Sequence, residues 1–204
     1  MKIYIDFDGT VFNTDKYIED FMYVLNDYGI DKILFEELKK NFCSKNKLFN
    51  ITMIIDYFIN NYDIDNSLKF KIDSLLDNSY VYPDVIENLN SLLNMGYELY
   101  LLTYGHTSFQ RMKINSANID YFFKDIIITE TDKSKLDIDY ENSIFIDNNP
   151  IEIERFHNSN AKKIIRIIRD NEKYSKDVCN VLNITECNNF YEIVEILRGD
   201  FINE

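Results

Sequence analysis

Acidic residues outnumber Lys and Arg by 35 to 22 in these 204 residues, a formal net charge of −13. Such a surface repels a nucleic-acid backbone and anionic lipid, so neither is an expected partner. No apolar run reaches the roughly twenty residues of a membrane helix; an apolar share of 46 % argues against a disordered chain, and the length suits one domain with a large insertion or two small domains.

"KIYIDF" opens the chain as a short β-branched and aromatic run, reads as a buried parallel strand, and carries the expectation that no signal peptide precedes it. A helix follows over "NTDKYIEDFMYVLNDYG", with Ile18, Phe21, Met22 and Leu25 on one stripe, Asn13 or Thr14 as its cap and Gly29 at its end. Residues 33–78 show only helical patterns, and their aromatic stretch "IIDYFINNYD" has the spacing of core. From residue 83 strand and helix alternate. Pro83 suits a first helical position before "DVIENLNSLLNMG". Strands are expected at "YELYLLT", "DIIIT", "SIFID" and "KKIIRII", with helices at "TSFQRMKINSA", "PIEIERFHN" and "NNFYEIVEILRG". That alternation predicts a parallel sheet covered on both faces. The basic run "RIIRDNEKYSK" reads as a solvated loop or an anion-attracting patch.

Cys43, Cys179 and Cys187 are odd in number and match no zinc spacing, so a reducing, cytoplasmic location is expected. Asn-Ile-Thr at 50–52 and 183–185 is then a chance match to a glycosylation signal.

In open α/β sheets ligands bind beyond the carboxyl ends of the strands. Asp6, Thr103 and Asp147 each finish an apolar strand at such an end. Asp8 follows Asp6 by two. Buried like charges need compensation, and Asp6, Asp8 and Asp147 together suit a hard cation such as Mg²⁺, which prefers oxygen ligands. A carboxylate can also act as a nucleophile, and a second one can shuttle a proton.

"DFDGTV" at 6–11, Thr103 in "LYLLTYG", a lysine in "TDKSK" and "FIDNNP" at 145–150 together resemble the four ordered motifs of the haloacid dehalogenase-like hydrolases. The resemblance implies a Rossmann-like α/β core over residues 1–15 and 79–204, with a helical cap over 16–78 that closes on the site. It implies Asp6 as phosphoryl-accepting nucleophile and Asp8 as general acid and base. Thr103 and the Tyr104 backbone N–H would hold the phosphoryl group. Lys133 or Lys135 would balance its charge, Lys133 being favoured because a small residue and a turn follow it. Asp6, the Asp8 carbonyl and Asp147 would ligate Mg²⁺. Asn148 stands where the family often has a second acid. Glu152 either supplies that acid or is a solvated helix residue. His106 either touches substrate or merely starts the next helix.

An acid at position 8 favours ester hydrolysis over carbon–halogen cleavage, because an alkoxide needs a proton to leave and a halide does not. The expected activity is Mg²⁺-dependent hydrolysis of a small phosphorylated metabolite through an aspartyl-phosphate. Phosphoryl transfer to another acceptor and a non-catalytic phosphate-binding module are the alternatives. Oligomeric state is not legible.

Overall fold

The computed structural model describes residues 1–46, 48–170, 172–181 and 184–203, so the sequon at Asn183 lies outside the described residues. Six strands form one sheet: β1 (Lys2–Ile5), β2 (Glu98–Tyr104), β3 (Asp125–Thr129), β4 (Ser143–Asp147), β5 (Lys163–Ile167) and β6 (Thr185–Cys187). Their order is β3-β2-β1-β4-β5-β6, and every pairing is parallel. The central strands of such a sheet are covered on both faces and read as largely apolar runs.

Side-chain alternation sorts the strand residues onto the two faces. Ile3, Ile5, Leu99, Leu101, Ile144 and Ile146 pack with α5 (Val85–Asn94), α6 (Thr107–Ala117) and α8 (Phe190–Asn203). Tyr4, Leu102 and Phe145 face the other way, toward Ile153 and Phe156 of α7 (Pro150–Asn158). There Phe145 stacks on Tyr4 at 5.1 Å and on Phe156 at 4.4 Å.

Between β1 and α5 the chain is helical, as expected: α1 (Thr14–Asp27), α2 (Lys32–Asn46), α3 (Ile51–Asn61) and α4 (Ser67–Leu75). Asn13 caps α1, its side chain accepting from the Lys16 N–H at 2.9 Å. Phe21, Phe35, Phe58 and Leu68 are buried in the same apolar cluster that lines the sheet, so these helices share one core with it.

Three local expectations change. The fifth helix starts at Val85 rather than at Pro83, and Asp84 before it makes no side-chain cap hydrogen bond. Its Oδ2 accepts from Arg169 Nη1 at 2.8 Å and from the Phe190 N–H at 2.7 Å. The basic run at 166–176 is neither a solvated loop nor an anion patch at its two arginines. Arg166 is buried against Glu186 and the carbonyls of Tyr174 and Asp177, and Arg169 is buried against Asp84 and the Thr10 carbonyl. Strand β6 was not anticipated, since three residues with one buried side chain carry no readable period.

Candidate active site

Sheet register brings the strand-end residues together. Ile5 pairs with Leu101 on one side and Ile146 on the other, so Asp6 stands level with Asp147, and Thr103 lies just beyond on β2. The strand order reverses between β1 and β4, which makes this edge the switch point where α/β sheets bind ligands. An open cleft of about 130 Å³ lies there, lined by Asp6, Asp8, Thr103, Tyr104, Lys133 and Asp147. Asn148, Asn149, Glu152 and Tyr174 complete it.

Lys133 opens a 3-10 turn, Lys133–Lys135, whose first carbonyl accepts from the Tyr140 hydroxyl at 2.6 Å. Its buried ammonium donates to Asp6 Oδ1 at 2.6 Å and to Asp147 Oδ2 at 2.7 Å. Residues two apart in such a turn point in different directions. Lys135 is therefore solvent-exposed on Asp132, 3.1 Å away, and does not line the cleft in which it was expected to bind substrate.

Asp8 is held from three directions. Its Oδ1 accepts from the Thr14 hydroxyl at 2.6 Å and from the Lys113 ammonium, and its Oδ2 accepts from Gln110 Nε2 at 2.7 Å. The same Gln110 nitrogen lies 2.8 Å from Thr103 Oγ1 and 3.0 Å from the Tyr104 carbonyl. Lys113 is buried over the rings of Phe7, Phe12 and Phe109, which favour a cation on their faces. Neither Gln110 nor Lys113 was singled out from the sequence.

Gly9, between the acid at 8 and the start of the helical insertion, has φ +75. A Cβ there would fall 2.1 Å from Asn148 Nδ2 and 2.8 Å from Glu172 Oε1, so only glycine lets the two segments approach. His106 precedes α6, with Ser108 Oγ 2.9 Å from its ring, and does not line the cleft. Glu152 is buried at the cleft, paired with Arg155 through Oε1, while Oε2 has no hydrogen-bond partner. Its solvated alternative is thereby removed.

Charge follows from these contacts. Burial pushes the Asp6 carboxyl up, against the pull of Lys133. Burial would depress the Lys133 ammonium, but Asp147 and Asp6 hold it charged, above the usual lysine range. Burial would raise Asp8 as well, yet Lys113, Thr14 and Gln110 hold it below the ordinary carboxylate range.

The donor set fits a hard cation. Asp6 and Asp147 present two level carboxylates, a pair suited to an ion that keeps most of its waters, and the unpartnered Glu152 oxygen lines the same cleft. The Asp8 side chain is engaged by Lys113, Thr14 and Gln110. Among the described residues no three acidic, His or Cys side chains converge on one point.

The profile of the haloacid dehalogenase-like hydrolases matches residues 3–140. The chain belongs to that family. A candidate haloacid dehalogenase-like hydrolase from Burkholderia xenovorans LB400 superposes with TM-score 0.75 at 15 % identity, over 97 % of this chain and 96 % of that one. The HAD phosphatase of Thermococcus onnurineus gives TM-score 0.62 at 19 % identity, over 98 % and 99 %. The candidate hydrolase YfnB of Bacillus subtilis, bound to magnesium, gives 0.64 at 14 %, over 96 % and 97 %. At such identities the likeness shows the fold. No curated protein matches the chain.

Proposed function

We propose that this haloacid dehalogenase-like hydrolase is a Mg²⁺-dependent phosphatase that cleaves a small phosphate monoester through an aspartyl-phosphate. The observation that carries the reading is the pair of acids at 6 and 8 lining one cleft with Thr103 and Lys133. A departing halide, unlike an alkoxide, takes no proton from a second acid.

In this mechanism the free Asp6 oxygen attacks phosphorus, and the ester P–O bond breaks as the Asp6–phosphorus bond forms. Asp8 donates the proton that the departing alkoxide needs. A water then attacks phosphorus, Asp8 takes its proton, and the bond to Asp6 breaks to release inorganic phosphate. The observed contacts hold Asp8 as a carboxylate, the form that accepts the proton of water. The first step therefore requires Asp8 to leave Lys113 and gain a proton. Thr103 Oγ1 and the Tyr104 N–H hold the phosphoryl oxygens. Lys133 keeps Asp6 aimed and opposes the growing negative charge. Asp6, Asp147 and the Asp8 carbonyl would hold Mg²⁺, which supplies charge neutralisation of the phosphoryl group when bound.

The negative surface of the chain gives an anionic ester little long-range attraction, so local cations must supply it. Incubation with p-nitrophenyl phosphate tests the reading. Turnover is expected with Mg²⁺, lost with a chelator, and lost in both Asp6→Asn and Asp8→Asn. Undiminished turnover by Asp6→Asn contradicts the nucleophile.

A further inference from the structure

We infer that Gln110 is a positioning residue that aims the Thr103 hydroxyl proton into the cleft, where it donates to an anionic phosphoryl oxygen. The inference rests on the proposed phosphate chemistry and adds to it a residue on a different element.

Gln110 is buried, on α6, and its Nε2 has three oxygens within reach: Asp8 Oδ2, Thr103 Oγ1 and the Tyr104 carbonyl. Two of these, the carboxylate and the carbonyl, can only accept. That fixes the amide with its NH₂ toward the cleft, because the reversed orientation would set its oxygen against two acceptors. The amide oxygen points the other way and has no hydrogen-bond partner. Two hydrogens thus serve three acceptors, at distances from 2.7 to 3.0 Å.

The consequence falls on Thr103. A hydroxyl can donate one hydrogen bond and accept others. Thr103 Oγ1 accepts from Gln110, so its proton must point away from that nitrogen. Among the described residues no acceptor is in hydrogen-bonding range of it. Thr103 lines the cleft and is otherwise buried, so the free direction is toward bound ligand. Without Gln110 the hydroxyl oxygen accepts no hydrogen bond, and its proton is free to rotate away from the phosphate. Gly105 supports the arrangement: a Cβ there would stand 3.0 Å from both Cγ and Nε2 of Gln110, crowding the amide.

Calorimetric binding of inorganic phosphate, in the presence of Mg²⁺, tests this in a double-variant cycle of Gln110→Met and Thr103→Val. Gln110→Met is expected to weaken phosphate binding about ten-fold, the worth of one hydrogen bond to a charged group. In the Thr103→Val background the same change should cost less than about two-fold, because the donor it aims is gone. Thr103→Ser should restore the full sensitivity to Gln110→Met. Equal losses in both backgrounds would overturn the inference, as would wild-type protein that binds no phosphate. Should Gln110→Met unfold, Gln110→Asn, which withdraws the amide by one methylene, should show the same dependence on residue 103. Turnover is scored separately: wild-type protein that binds phosphate yet hydrolyses no ester overturns the phosphatase reading and leaves this cycle measurable.

Discussion

Lys113 and Asp8, 105 residues apart in sequence, form an ion pair in which the lysine is buried and the carboxylate reaches the cleft. Three aromatic rings surround the buried ammonium. The pair joins α6 to the loop after β1, and so joins the acid of the proposed reaction to the helical scaffold.

Removing one partner leaves a charge in a low-dielectric site. Lys113→Met is expected to lower unfolding free energy by about 2–3 kcal/mol, somewhat below a fully buried pair because Asp8 touches the cleft. Urea denaturation measures it. Lys113→Met with Asp8→Asn should recover most of the loss, since no lone charge then remains. Additive losses in the double variant would show that packing of the lysine stem, not the pair, carries the effect.

The two lysines near the third motif should behave differently. Lys133→Met leaves Asp6 and Asp147 facing each other without a cation and is expected to cost about 3 kcal/mol in metal-free buffer. Added Mg²⁺ should restore part of it, because the ion binds the folded state at those carboxylates. Lys135→Ala, on the exposed side of the turn, should leave the unfolding midpoint and turnover unchanged. Thermal denaturation with and without Mg²⁺ checks both.

The fold was largely legible because the strands are short apolar runs ended by polar residues: "DIIIT" and "SIFID" occupy their expected positions residue for residue. What the site keeps hidden lies on α6. Its buried face carries Phe109, Gln110, Lys113 and Ile114, two long polar side chains on an otherwise apolar stripe. Such a stripe tolerates them only if they are paired, and that was the available signal. It pointed to no partner, because Asp8 and Thr103 meet α6 only through tertiary packing. The choice between Lys133 and Lys135 was likewise a matter of direction within a turn, which spacing alone does not give.

Glu172 supplies a pH dependence. Burial raises its carboxyl to about 7 from an ordinary 4.5. The folded state then holds a proton that the unfolded state has lost between those two values, so stability falls as pH rises through that window. Glu172→Gln removes the titration. It is expected to match the wild type near pH 4 and to be more stable at pH 8 by roughly 2 kcal/mol. Chemical denaturation at the two pH values checks it; an advantage that shrinks with rising pH would contradict the assignment.

Gly9→Ala tests the close approach behind the acid at 8. A positive φ and the collision with Asn148 are expected to cost about 2 kcal/mol or more. Asn148 borders Asp147, so turnover should fall more than stability alone explains at temperatures where the variant remains folded. Circular dichroism beside an activity assay separates the two.

The direct test of phosphoryl transfer to Asp6 is to catch it. Asp8→Asn, which lacks the base for the second step, is mixed with a reactive phosphate ester and Mg²⁺, quenched in acid and digested for mass spectrometry. A single phosphoryl group on the peptide carrying Asp6, absent when Asp6→Asn is added to the variant, is the predicted result. Ester consumed with no phosphoryl group on that peptide, or one found on another residue, would contradict it.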